Sequence, residues 1–141
     1  MRFLDANIFI YAYYKPKKSL TEKEETMKKQ AKEIINNVSQ GKEQVITTVV
    51  HVSEVVNILK NGISRDLLTR TILGLFMLEN VTILDVTKDT YFAAIEIGQD
   101  FNLEPNDALA VDMMRQNNIA EIYSFDEHFG KVEGITRLPI I

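Results

Sequence analysis

The sequence of 141 residues contains no cysteine and only two histidines, His51 and His128. Without cysteine, disulfides, thiolate zinc centres and cysteine nucleophiles are all excluded, and the redox compartment of the protein stays undetermined. Two histidines also leave few soft ligands for a transition metal. Metal chemistry in this protein would therefore depend on the oxygen ligands of aspartate and glutamate.

Long hydrophobic runs are missing as well. No stretch approaches the roughly 20 apolar residues that a helix needs to cross a bilayer, and Asp5 and Asn7 interrupt the apolar start MRFLDANIFIYAYY. That start has neither the basic flank nor the cleavage site of a signal peptide. We therefore expect a cytoplasmic protein, and the chain length predicts a single domain over residues 1–141.

The formal net charge is −4, from 16 Lys/Arg and 20 Asp/Glu, which argues against a general polyanion binder. The charges are unevenly distributed. Residues 1–50 hold nine Lys/Arg against six Asp/Glu, a balance of +3, and residues 51–141 hold seven against fourteen, a balance of −7. Two interpretations stay open: solvated helix faces differ by chance, or a basic approach surface lies beside an acidic centre.

Short apolar runs alternate with helical patterns along the chain. Strand patterns occur at residues 2–4, 45–47 and 81–86, in the first half of IAEIYSFDEHF and in ITRLPII. Helix signals lie between them, such as the capping box of Thr21 and Glu24 and the proline at Pro105, which suits a first helical turn. Short strands joined by helices need crossover connections. The pattern predicts an α/β fold with three layers, in which helices cover both faces of a mostly parallel sheet.

Four carboxylates interrupt the apolar patterns. Asp5 follows the first strand and Asp126 follows the fourth, at the edge where open parallel sheets bind ligands. Glu54 lies in the apolar helix pattern VVHVSEVVNILK, where an unpaired buried carboxylate costs several kcal/mol. Asp107 opens a helix and shares its face with apolar residues three, four and seven positions later. These positions predict that the four acids converge at one edge of the sheet.

Each of three acids also has a purely structural interpretation. Asp5 could cap a helix that begins at Ala6, Asp107 could complement a helix dipole, and Asp126 could be an ordinary turn residue. A phosphatase or receiver domain that uses Asp5 as phosphoacceptor is a further alternative, although such a phosphatase would carry a second aspartate where Asn7 stands. If the four acids do converge, their oxygen ligands favour Mg²⁺ or Mn²⁺ over zinc or copper, and a water activated by such an ion can attack a phosphodiester.

Four stretches resemble the motifs of the PIN-domain ribonucleases, which include the VapC-type toxins of prokaryotic toxin-antitoxin pairs. In chain order they are FLDANIFIYAY, TTVVHVSEVVNIL, NDALAVDMM and YSFDEHF. The resemblance spans nearly the whole chain. It implies a five-stranded parallel sheet between helices, an endoribonuclease activity that depends on Mg²⁺ or Mn²⁺, frequent homodimerisation, and a small antitoxin protein that blocks the site.

The resemblance also implies roles for individual residues. Metal binding and catalysis fall to Asp5, Glu54, Asp107 and Asp126. Two supporting residues stand beside them: Asn7 is next to the first acid, and Ser124 takes a position where many family members have threonine. The implied function is cleavage of single-stranded or looped RNA by the toxin of a toxin-antitoxin pair. The alternative is a catalytically inactive PIN-like module that binds RNA or protein.

Three further residues are candidates for contact with the RNA substrate. Lys15, Lys17 and Lys18 form a basic segment that could bind RNA phosphates. A solvated charged surface explains them equally well. The histidines are not assigned to the site, because the helical pattern predicts His51 on the surface of its helix.

Overall fold

A five-stranded parallel sheet forms the centre of the molecule. The computed structural model describes residues 1–14 and 18–140. Within these residues the strands are β1 (Arg2–Leu4), β2 (Val45–Thr48), β3 (Val81–Leu84), β4 (Glu121–Tyr123) and β5 (Thr136–Leu138). Their order in the sheet is β3-β2-β1-β4-β5, and every neighbouring pair is parallel. The predicted sheet is confirmed, with its third strand ending at Leu84 rather than Val86.

Helices connect the strands, and their ends follow capping signals in the sequence. They are α1 (Ala6–Tyr13), α2 (Glu22–Ser39), α3 (Val49–Leu59), α4 (Arg65–Met77), α5 (Lys88–Phe101) and α6 (Pro105–Gln116). Thr21 and Glu24 form the predicted capping box of α2, with hydrogen bonds of 3.1 and 3.2 Å. Pro105 occupies the first turn of α6, where its missing N–H removes no helical bond. In the described part of the chain, no helix is both long enough and apolar enough to span a membrane.

The helices cover both faces of the sheet, and each face has its own hydrophobic core. Leu4 packs with Ile8 of α1 and Leu59 of α3 on one face, together with side chains of α2 and α4. Phe3 packs with Leu109 of α6 and with side chains of α5 on the other. Consecutive strand residues point to opposite faces, so β1 contributes to both cores. The predicted three-layer α/β/α architecture is confirmed.

The neighbouring strands β1 and β4 place their ends side by side. Phe3 pairs with Ile122 and Leu4 pairs with Tyr123. Directly after β1, the N–H of Asp5 donates a 3.0 Å hydrogen bond to the carbonyl of Tyr123. Asp5 and the residues that follow Tyr123 therefore lie together at the carboxyl edge of the sheet, the edge where open parallel sheets bind ligands.

Helices α5 and α6 approach each other closely at Gly98. A Cβ atom on Gly98 would lie 2.7 Å from the Cβ of Ala108 and 3.1 Å from the carbonyl oxygen of Leu103. Ala108 directly follows Asp107, so this contact determines how near the first turn of α6 sits to α5. Only glycine allows the two helices this spacing.

Candidate active site

Asp5 lies at the end of β1 and is only 5% exposed. Its Oδ1 accepts a 2.8 Å hydrogen bond from the N–H of Ala6, so the structural interpretation of Asp5 as the N-cap of α1 is correct. Its Oδ2 accepts a 2.7 Å hydrogen bond from Ser124 Oγ. Burial, with the added charges of Glu54 and Asp126, raises the pKa of Asp5 to about 6 despite these two bonds. A role as helix cap does not explain why Asp5 lies close enough to Glu54 and Asp126 for their charges to raise its pKa.

Ser124 joins Asp5 to the turn after β4. The serine is fully buried, and besides donating to Asp5 its Oγ accepts hydrogen bonds from the N–H of Asp126 at 3.0 Å and from Asn7 Nδ2 at 3.3 Å. Asn7 Oδ1 accepts a 3.2 Å bond from the N–H of Phe125. One donor and two acceptor lone pairs are all that a hydroxyl offers. Asn7 and Ser124 thus bind each other and tie the ends of β1 and β4 together.

Glu54 is half-buried on α3, and a residue of α6 orients it. Asn106 Nδ2 donates a 3.1 Å hydrogen bond to Glu54 Oε2. Asn106 Oδ1 accepts a 2.5 Å bond from the hydroxyl of Tyr91 on α5. Sequence reasoning missed Asn106 because its partners come from two other helices. The available signal was its position directly before Asp107 at the start of an apolar helix.

Asp107 lies in the first turn of α6. Burial, followed by the charges of Asp5 and Asp126, a hydrogen bond with Asp126 and the charge of Glu54, raises the pKa of Asp107 to about 8. A helix N-terminus by itself favours the ionised carboxylate and lowers its pKa. The upward shift therefore reflects burial among three other acids, and complementing the helix dipole is not a sufficient account of Asp107.

Asp126 begins the 3-10 helix Glu127–Lys131 and caps it. Its Oδ1 accepts a 2.9 Å hydrogen bond from the N–H of His128 and lies 2.8 Å from Nδ1 of the same residue. The interpretation of Asp126 as a turn residue is thus correct. Asp126 is at the same time a neighbour of Asp5 and Asp107, since its charge contributes to raising the pKa of both.

His51 differs from the sequence prediction. The prediction of a surface position is wrong, because the side chain is 1% exposed. Its Nδ1 lies 2.7 Å from Thr48 Oγ1, and its Nε2 lies 3.1 Å from the carbonyl oxygen of Asn106. A carbonyl only accepts, so Nε2 carries the proton and Nδ1 accepts from the threonine. Burial lowers the pKa of His51 to about 4, and the neutral ring ties α3 to the start of α6.

The charges of the other three acids all act on Asp107, and the described basic residue in contact with these four acids is His128, beside Asp126. Within residues 1–14 and 18–140, no Lys or Arg forms an ion pair with any of them. Oxygen ligands with unbalanced negative charge suit a hard divalent cation. As the side chains stand, no group of three or more His, Asp or Glu among the described residues could hold a metal ion. Each carboxyl group instead contacts a partner of its own: Ser124, Asn106, His128, or a second acid.

The predicted RNA-binding lysines are only partly described. Lys15 and Lys17 lie outside the described residues. Lys18 is exposed in the segment that precedes α2. A role of these three residues in RNA binding stays a prediction.

Comparison with protein families gives one match over most of the chain. The model of the family described as PIN domain matches residues 2–135. No curated protein matches the chain. The family match includes all four acids of the cluster together with Asn7, Ser124 and Asn106.

Solved structures with the same fold include three from bacteria. A chain of a toxin-antitoxin complex from Klebsiella pneumoniae has 16% identity and a TM-score of 0.65, with 96% of each chain covered. VapC20 of Mycobacterium tuberculosis, described as a sarcin-ricin loop cleaving toxin, has 17% identity and a TM-score of 0.66, covering 90% of this chain and 91% of that one. A chain of VapBC2 from Rickettsia felis, in a structure with a bound fragment of promoter DNA, has 13% identity and a TM-score of 0.62. The match covers 97% of this chain and 96% of that one. At these identities the likeness establishes the fold.

Proposed function

This chain belongs to the PIN-domain family, and we propose that it is a metal-dependent endoribonuclease that cleaves single-stranded or looped RNA in the cytoplasm. The observation that carries this proposal is that three acids from distant stretches of the chain lie close enough to Asp107 for their charges to act on it. Burial and the charges of Asp5, Asp126 and Glu54 together raise the pKa of Asp107 to about 8. Such perturbed groups at the ligand-binding edge of a sheet are typical of an active site.

We assign the metal site to Asp5, Glu54, Asp107 and Asp126, with Mg²⁺ or Mn²⁺ as the cation. When bound, the ion supplies positive charge at the scissile phosphate and activates water for attack. To hold a cation, Asp107 would have to be ionised and released from its hydrogen bond with Asp126. Asn106 holds Glu54 through Oε2, which leaves Oε1 without a hydrogen bond among the described residues. Asn106 and Ser124 thus orient two of the four acids from outside the cluster.

The charge distribution supports a phosphodiester substrate. Removing the four acids from the count leaves 16 Asp/Glu against 16 Lys/Arg. The negative excess of the chain is therefore the cluster itself, and a bound cation would turn it into a site that attracts phosphate. We propose that Lys15, Lys17 and Lys18 contribute contacts to other phosphates of the RNA.

The biological setting is part of the proposal. We propose that the protein is the toxin of a toxin-antitoxin pair, blocked by a small antitoxin, and that it forms a homodimer. The support is that two of the structural neighbours are themselves described as a toxin-antitoxin complex and a toxin. Co-purification with a short protein encoded next to the gene tests the pair. Light scattering coupled to size exclusion tests the dimer.

Cleavage of a labelled single-stranded RNA by the purified protein tests the activity. Mg²⁺ or Mn²⁺ should support cleavage and raise the melting temperature, and a chelator should abolish both effects. Asp5→Asn should abolish cleavage and shrink the metal-dependent shift. Asp100→Asn, an exposed acid on α5 outside the cluster, is the matched control and should behave as the wild type.

Two results would contradict the proposal. Wild-type protein that neither cleaves RNA nor melts at a higher temperature in millimolar metal would leave the inactive binding module as the better account. Cleavage that survives both Asp5→Asn and the chelator would show that a contaminating nuclease, rather than the acidic cluster, performs the reaction. Where cleavage does depend on Asp5 and on the metal, sequencing of the RNA ends gives the position of cleavage.

A further inference from the structure

A pocket of about 340 Å³ lies beside the acidic cluster, between α3, α5 and the first turn of α6. Glu54 and Asn106 line this pocket. Glu54 is also one of the four acids of the cluster, and Asn106, which donates a hydrogen bond to Glu54, directly precedes Asp107 of the same cluster. A group bound in the pocket would therefore lie next to the scissile phosphate.

The walls of the pocket combine apolar, aromatic and amide surface. Val49 and Ile58 of α3 line it and expose 37% and 39% of their surface. Tyr91 of α5 adds an aromatic wall, and Ser53 and Asn57 lie one helical turn apart on α3. Apolar and aromatic surface with a few polar groups is the usual composition of a small-molecule site. This composition suits a flat heterocycle with polar edges.

The polar groups of the pocket fall into two sets. The Tyr91 hydroxyl and the Asn106 amide are occupied, since the hydroxyl donates to Asn106 Oδ1 and Asn106 Nδ2 donates to Glu54. Ser53 and Asn57 are exposed, and the side chain of neither forms a hydrogen bond within the part of the chain that the structure describes. An asparagine amide offers two donors and an acceptor with two lone pairs. The pocket thus presents free hydrogen-bonding groups to an incoming ligand.

Charge argues against a phosphate as the occupant. The described residues that line the pocket include no lysine or arginine, and the one ionisable carboxyl among them is Glu54. Phosphate groups are bound chiefly through cationic side chains. A nucleobase carries no charge and therefore needs no cationic side chain in its binding site.

We propose that this pocket is a nucleobase subsite, which binds the base of the nucleotide beside the scissile phosphate. The base stacks on Tyr91, and Asn57 with Ser53 reads its edge, as in other proteins that recognise unpaired RNA bases. The inference rests on the proposed ribonuclease function and adds to it a preference for one base next to the cleavage position.

Binding of short homopolymeric oligoribonucleotides of A, C, G and U tests the subsite. The Asp5→Asn protein is used with Mg²⁺, and the affinity for each labelled oligonucleotide is measured by fluorescence anisotropy. We expect one homopolymer to bind most tightly. Asn57→Ala, added to Asp5→Asn, should weaken that homopolymer about tenfold and the others less. Tyr91→Leu should weaken all four about tenfold, because stacking tolerates any base.

Asn61→Ala is the matched control, because Asn61 is exposed in the turn after α3 and does not line the pocket. It should leave all four affinities unchanged. Equal binding of the four homopolymers, or an unchanged ranking in Asn57→Ala, refutes the subsite. An unchanged ranking with an altered oligomeric state would instead assign the pocket to a contact between copies of the chain. Wild-type protein that fails to cleave RNA refutes the ribonuclease function, while the ranking of the homopolymers still reports on the pocket by itself.

Discussion

Asn106 Nδ2 donates a 3.1 Å hydrogen bond to Glu54 Oε2 and thereby links α6 to α3 at the edge of the acidic cluster. The same asparagine accepts at Oδ1 from Tyr91 and at its carbonyl from His51. The neutral side chain of Asn106 thus holds Glu54, one proposed metal ligand, and Asn106 itself directly precedes Asp107, a second proposed ligand. The arrangement resembles the outer-shell hydrogen bonds that orient ligands in metal sites.

Replacing Asn106 should therefore weaken metal binding without touching a ligand. Asn106→Ala removes the bonds to Glu54 and Tyr91 but keeps the backbone carbonyl that His51 uses. We expect the affinity for Mn²⁺ to fall about 10- to 100-fold, the range found when such orienting partners are removed. Calorimetric titration with Mn²⁺ measures the change, with Asn61→Ala as the control. An unaltered affinity would show that Asn106 does not position Glu54 for metal.

Two substitutions at Ser124 distinguish the need for its hydroxyl group from the need for a small side chain. Ser124→Ala removes the buried donor to Asp5 and the acceptor for the N–H of Asp126, so we expect a loss of about 1–3 kcal/mol in the free energy of unfolding. Ser124→Thr keeps the hydroxyl and adds one methyl group, so the loss should be smaller. Urea denaturation at neutral pH measures both variants. If alanine were tolerated better than threonine, packing rather than hydrogen bonding would govern this position.

The stability of the metal-free protein should fall as the pH rises. An acid with a raised folded-state pKa holds its proton in the folded protein where the unfolded chain has already lost it, so folding becomes less favourable with increasing pH. The pKa values of Asp5 and Asp107 are raised, mainly by burial, from 3.8 to about 6 and to about 8. The loss should begin near pH 4 and extend to near pH 8. Urea midpoints measured across this range report the slope.

Asp107→Asn provides the matched variant for that slope. The amide carries no charge at any pH, so the variant should lose the part of the slope above about pH 6, where only Asp107 still titrates among these two acids. In the absence of metal at about pH 8 it should be more stable than the wild type, and it should lose the metal-dependent rise in melting temperature. Equal slopes for the two proteins would mean that Asp107 is not held among the other acids.

Two glycines in helices should respond in opposite directions to alanine. Gly98→Ala places a Cβ 2.7 Å from the Cβ of Ala108, and overpacking of this kind typically costs about 1–3 kcal/mol. Gly74→Ala on α4 meets no atom within 4 Å and should stabilise the protein by up to about 1 kcal/mol through helix propensity. Thermal unfolding compares the two. A stabilised Gly98→Ala protein would show that α5 can move away from α6.

Local signals predicted the elements well because each depends on neighbours in the chain. The capping box of Thr21 and Glu24 and the proline at Pro105 mark helix starts that the structure contains. The third strand is two residues shorter than predicted, since Asp85 and Val86 follow its last paired residue, Leu84. Strand ends depend on pairing with a neighbour, which periodicity does not report.

Side-chain environment was harder to predict than the elements themselves. His51 sits in a helix whose apolar positions surround it, so its burial could not be separated from a surface position by periodicity alone. Its contact with the carbonyl of Asn106 joins residues 55 positions apart. Asn106 was missed for the same reason, because its importance comes from Glu54 and Tyr91 on other helices.

What the sequence by itself determined is the set of acids and the order of strands and helices, because alternation, caps and interrupted apolar patterns are properties of neighbouring residues. The tertiary structure decided which groups face one another. The parallel pairing of β1 with β4 brings Asp5 to Ser124, and the packing of α6 against α3 and α5 brings Asn106 to Glu54. Burial and mutual repulsion raise the pKa values of Asp5 and Asp107 only once those distances are short, and distances between remote residues exist only in the folded chain.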